Sequence, residues 1–133
     1  MSDHSGGCLC GAVRYVTRGA LRGVSYCHCT MCRRQTGHFY AATDIADDEL
    51  EIEGAGGVSW YAASPEARRG FCSTCGSALF WKAEGSSKTS VMAGSFDQPS
   101  GLAGMNHIFV ADKGDYYAIT DDLPQSPQGS TGT

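Results

Sequence analysis

Seven cysteines gathered into three clusters constrain this chain more than any other feature. They are Cys8-Leu9-Cys10-Gly11, Cys27-His28-Cys29-Thr30-Met31-Cys32 and Cys72-Ser73-Thr74-Cys75-Gly76. The N-terminus, Met1-Ser2-Asp3-His4, has neither the basic n-region nor the apolar run of a secretory signal. An odd cysteine count in such a chain argues against a disulfide framework. A cytoplasmic location is therefore predicted, where thiols stay reduced. Metal binding or redox chemistry becomes the default role for the cysteines.

Two of the clusters are pairs followed directly by glycine. A tight knuckle lets two thiolates point at one ion, and the glycine permits the positive φ that such a turn needs. Two pairs on separate loops complete a four-sulfur tetrahedron of Cys8, Cys10, Cys72 and Cys75. Closed sites of this kind are structural, because they cross-link the chain and leave no position free for chemistry. The two pairs lie further apart than in an ordinary zinc ribbon, so the metal would join distant parts of the fold.

Cys27, Cys29 and Cys32 remain. Three protein ligands with an open position are the pattern of catalytic zinc. Cys29 and Cys32 sit three apart, as one helical turn would present them, and Cys27 enters from a preceding strand. Two other readings stay open here: a site closed by His28 or another histidine, and a redox thiol pair. His28, set between two ligands, is expected to point away from them. Two zinc ions per chain are the cofactors this pattern implies.

A chain of 133 residues is one domain's worth. Its 18 glycines, about twice the usual share, suggest many turns between short strands. Strands are predicted over residues 13–17, 23–26, 39–43, 50–53, 58–61, 78–81, 90–93 and 107–110, the first two as a hairpin. Helix is expected only over 30–35 and 65–68. The fold class is mainly β, with antiparallel sheets in a single zinc-cross-linked domain over residues 1–124. Residues 125–133, rich in Pro, Gln, Ser, Gly and Thr, read as a flexible tail.

No segment approaches the ~20 apolar residues of a membrane span. The net charge of −4 gives no reason to expect nucleic acid as a partner. Residues 1–43 hold five arginines against one acid, Asp3, a local +4 inside an acidic protein. That asymmetry suits a small anionic ligand.

Four stretches resemble one known family. They are Gly6-Gly7-Cys8-Leu9-Cys10-Gly11-Ala12-Val13-Arg14-Tyr15, then Cys27 to Cys32 with Arg33-Arg34, then Gly70-Phe71-Cys72-Ser73-Thr74-Cys75-Gly76-Ser77. The fourth is His107-Ile108-Phe109-Val110-Ala111-Asp112-Lys113, with Tyr116-Tyr117 and Asp121-Asp122-Leu123-Pro124. Together they are similar to short bacterial members of the glutathione-dependent formaldehyde-activating enzymes, a family that also contains centromere protein V. The resemblance implies a tent-like fold of packed antiparallel sheets. It also implies a structural zinc on Cys8, Cys10, Cys72 and Cys75, and a second zinc on Cys27, Cys29 and Cys32. The activity implied is carbon–sulfur lyase chemistry on a thiol–aldehyde adduct, with glutathione and formaldehyde giving S-(hydroxymethyl)glutathione.

Arg33 and Arg34, directly after Cys32, are the candidate contacts to the carboxylates of glutathione. His107 is a candidate proton shuttle or fourth zinc ligand, as well as an ordinary core histidine. Trp60, Phe80 and Trp81 read as core. A second function from another class also fits, a zinc-stabilised binding module in which the triplet only stiffens a loop. The missing fourth ligand favours the enzyme, because a purely structural site should be closed.

Overall fold

The computed structural model describes residues 3–129 and builds ten strands and one helix. They run β1 (His4–Gly7), β2 (Arg14–Thr17), β3 (Val24–Cys27), α1 (Thr30–Thr36), β4 (Tyr40–Ala46) and β5 (Leu50–Glu53). Then follow β6 (Val58–Ser64), β7 (Ala67–Cys72), β8 (Ala78–Ala83), β9 (Lys88–Met92) and β10 (Gly104–Ile108). A three-stranded sheet has the order β1-β2-β5, and a seven-stranded sheet the order β10-β3-β4-β9-β8-β7-β6. The mainly β class is as expected. Every pairing between these strands is antiparallel except β10 with β3, which is parallel.

The expected hairpin of 13–17 with 23–26 does not form. β2 is the central strand of the small sheet, with both edges taken by β1 and β5, so no edge remains for β3. The expected helix at 65–68 is instead a turn at Pro65-Glu66 leading into β7. β1 and β7 show no apolar alternation, and pairing partners impose their extended form. The tail expected from Gln125 is tied to β10 as far as residue 128. Ser126 donates to the His107 carbonyl at 2.9 Å, and Phe109 donates to that of Gln128 at 2.8 Å. Residues 130–133 of that expected tail lie outside the described residues.

Alternation of side chains across the large sheet gives it two faces with different work. One face packs on the small sheet and forms the main core, with Val13, Tyr15, Leu79, Phe80 and Val91 buried to 1% exposure or less. Tyr15 meets Phe80 and Phe96 edge-on, with ring centroids 5.7 and 5.4 Å apart, and its hydroxyl pairs with Ser95 Oγ at 2.5 Å. The other face follows from the register. Asp44 stands opposite Ser90, Ser90 opposite Trp81, and Trp81 opposite Arg69, so these four form one row across β4, β9, β8 and β7. Phe80 therefore joins the core as expected. Trp81 belongs to the opposite face, and Trp60 on edge strand β6 is 39% exposed.

Candidate metal centres

Cys8, Cys10, Cys72 and Cys75 come together at the rim where the two sheets meet. Cys8 and Cys10 follow β1, Cys72 ends β7, and Cys75 lies in the turn before β8. All four sulfurs lie within 4.8 Å of one another. Cys8 and Cys10 Sγ are 3.6 Å apart, and Cys10 and Cys72 Sγ 3.8 Å. Zinc–sulfur bonds of ~2.3 Å in a tetrahedron place sulfurs about 3.8 Å apart, so the four fit a zinc ion. Both knuckle glycines have the left-handed backbone expected, φ 83° at Gly11 and 80° at Gly76. Amides of Val13 and Cys75 donate to the sulfurs of Cys8 and Cys72 at 3.3 and 3.5 Å, which stabilises thiolate charge. Hydrogen bonding with the Ser77 hydroxyl, first among several, pulls the Cys75 thiol down to about 5.

The triplet is built differently. Cys27 ends β3, while Cys29 caps α1, its sulfur accepting from the Cys32 amide at 3.3 Å. The helix thus carries Cys32 one turn on, onto the same side as Cys29. Their sulfurs and that of Cys27 lie within 4.8 Å of one another, and among the described residues no fourth His, Cys, Asp or Glu joins them. Three soft donors converging at this range also fit zinc. Hydrogen bonds from Cys27 and then Cys32 hold the Cys29 thiol down at about 2. The neighbouring Cys29, and then Cys32, push the Cys27 thiol upward.

His28 points away from the sulfurs, as expected. It is 1% exposed, and its Nε2 pairs with Nδ1 of His107 at 2.8 Å while its Nδ1 pairs with the Tyr117 hydroxyl at 2.5 Å. His107 Nε2 meets both oxygens of Asp121 at 3.0 Å. Tyr117, His28, His107 and Asp121 form one hydrogen-bonded chain behind the triplet. Burial, and then the neighbouring His107, pushes the His28 imidazole down to about 4, so it is neutral at pH 7. His107 is occupied on both nitrogens and does not join the three sulfurs.

In front of the triplet lies a cleft of about 560 Å³. Its floor is the Asp44–Ser90–Trp81–Arg69 face of the large sheet, and Cys27, Cys29 and Cys32 all line it. Arg69, 5% exposed, reaches the triplet directly: its guanidinium lies 3.5 Å from Cys32 Sγ and 3.0 Å from Gln35 Oε1, and sits over the Tyr40 ring. Arg33 and Arg34 are absent from the lining; Arg34 is exposed, and Arg33 packs beside Gly114. Sequence reasoning missed Arg69 because Ala-Arg-Arg-Gly-Phe-Cys has no alternation to show which arginine faces inward. The neighbouring Arg68 is exposed over Trp60.

A small two-sheet β fold with one closed and one open cysteine cluster is the class these observations define. The family model for glutathione-dependent formaldehyde-activating enzymes matches residues 3–112, and the chain belongs to that family. A solved structure of a Rhodobacter sphaeroides protein is similar in fold, with a TM-score of 0.60 and 24% identity. The match covers 71% of this chain and 88% of that one. No curated protein matches. No helix among the described residues is long and apolar enough to cross a membrane.

Proposed function

We propose that this protein is a cytoplasmic, zinc-dependent enzyme that makes or breaks the carbon–sulfur bond of thiol–aldehyde adducts. The family's named pair, glutathione and formaldehyde, defines the reaction type. The observation that supports this most is the open triplet: three convergent thiols, no fourth donor among the described residues, and a cleft on the free side. Zinc held by Cys27, Cys29 and Cys32 would lower the pKa of an incoming thiol, so that it is present as thiolate. A structural zinc on Cys8, Cys10, Cys72 and Cys75 would cross-link the two sheets.

Addition forms one S–C bond and breaks the carbonyl π bond; the proton lost from sulfur ends on oxygen. The chain's own residues supply the setting. Trp81, Met105 and Ile108 wall the space beside the sulfurs with apolar surface. Arg69, against Cys32, offsets the negative charge that a fourth sulfur would add to the cluster, an interaction strong in a dry site. Without such a cation, four thiolates around one dication would leave two uncompensated charges in an apolar cleft.

Calorimetric titration of the two-zinc protein with small thiols, in buffers of differing ionisation enthalpy, tests this reading. About one proton should be released per thiol bound near neutral pH. Native mass spectrometry should show two zinc ions. Absence of any thiol binding by protein that carries both ions would leave the zinc-stabilised binding module instead.

A further inference from the structure

The cleft beside the triplet is much larger than formaldehyde requires, and its charge suits a tripeptide anion poorly. Its volume of about 560 Å³ lies in the ~300–1,000 Å³ range of sites for drug-sized ligands. Among the described residues two cations line it, Arg22 and Arg69, and both are engaged. Arg22 is paired with Asp44 at 2.9 Å, and the other oxygen of Asp44 accepts from Ser90 Oγ at 2.6 Å. Arg69 donates through its two terminal nitrogens to Gln35 and Cys32, and its Nε, which has no partner among the described residues, is buried away from the cleft's solvent. Against these two guanidinium groups stand three carboxylates, Asp44, Glu66 and Asp112.

Glutathione carries two carboxylates against one ammonium, and as thiolate it adds a further negative charge. Such a ligand needs unengaged cations to replace its hydration, and the described lining has none. What the cleft does present is apolar surface. Met31 on α1 is 46% exposed, and Trp81, Met105, Ile108 and Phe109 complete the wall. Phe109 holds φ 55° and ψ 39°, a left-handed conformation that bulky side chains rarely adopt. Its amide is fixed there by the Gln128 carbonyl at 2.8 Å.

We infer that the thiol handled at this site is an uncharged one bearing an apolar substituent, which packs against Met31, Trp81 and Phe109. This rests on the reading that a thiol binds at the triplet, and the test separates the two. The two-zinc protein is titrated by calorimetry with benzyl mercaptan, mercaptoethanol and glutathione. Benzyl mercaptan should bind at least about tenfold more tightly than mercaptoethanol, from burial of its ring. Glutathione should bind no more tightly than mercaptoethanol. Glutathione matching or exceeding benzyl mercaptan would overturn the inference and leave the proposed function standing. Failure of all three thiols to bind would overturn both.

A second variant sharpens the outcome. Met31 is exposed on a helix, so Met31→Lys should fold, and it places an unengaged cation at the wall. It should shift the ratio of glutathione to benzyl mercaptan affinity toward glutathione by about tenfold. An unchanged ratio in folded, two-zinc protein would show that the ligand does not lie along this wall, and would also overturn the inference.

Discussion

The two cysteine clusters use one side chain for two ends. The four-sulfur cluster sits at the rim between sheets, with Cys10 exposed and Leu9 90% exposed beside it. Its supporting contacts are backbone amides and the hydroxyl of Ser77, and its own four sulfurs suffice to complete a tetrahedron. The triplet sits on β3 and α1, backed by a buried histidine pair and fronted by a cleft. The number of donors, and what faces the side they leave free, separates a cross-link from a reactive site. Cysteine content alone does not.

The largest expected effect contrasts the clusters directly. Cys72 is fully buried, and Cys72→Ser should unfold the chain or remove most of the ~5–15 kcal/mol that a domain has. Cys32→Ser should cost less than about 2 kcal/mol while removing one zinc ion and all thiol binding. Denaturant melts paired with zinc counts would check both. Equal unfolding by the two variants would make the triplet structural and erase the contrast.

Next in size is the histidine pair behind the triplet. His28→Ala leaves His107 Nδ1 and the Tyr117 hydroxyl without partners and opens a cavity, so about 2–4 kcal/mol of stability should be lost. Two zinc ions should remain in the folded protein. Loss of the second ion at concentrations that fill the wild-type site would show that His28 governs metal binding as well as packing.

Arg69→Met probes the front of the triplet. Removing a buried charge-assisted contact of ~1.5–3 kcal/mol should weaken thiol binding about tenfold to hundredfold, with zinc retained. Arg69→Lys should restore part of that affinity, and calorimetry would follow both variants. The smallest effect belongs to the closed cluster. Ser77→Ala removes a hydroxyl shared by the Leu9 amide and Cys75 Sγ, at a cost of about 1 kcal/mol, and should leave thiol affinity unchanged. A change in thiol affinity would mean that the two clusters are coupled.

Sequence by itself determined what was local. Ligand spacing and a following glycine define a knuckle within a few residues, so the makeup of both clusters was readable in the chain. So was α1, whose expected span 30–35 meets the observed Thr30–Thr36, and so was β5. The tertiary structure alone decided which arginine reaches the sulfurs. Arg33 and Arg34 adjoin Cys32 in sequence yet do not line the cleft, whereas Arg69 arrives from β7 through a register that crosses four strands. The tail's attachment to β10 and the engagement of His107 were likewise hidden. Each depends on which strand edge is left unpaired once the sheets have formed, and a chain read one residue at a time carries no local signal of that.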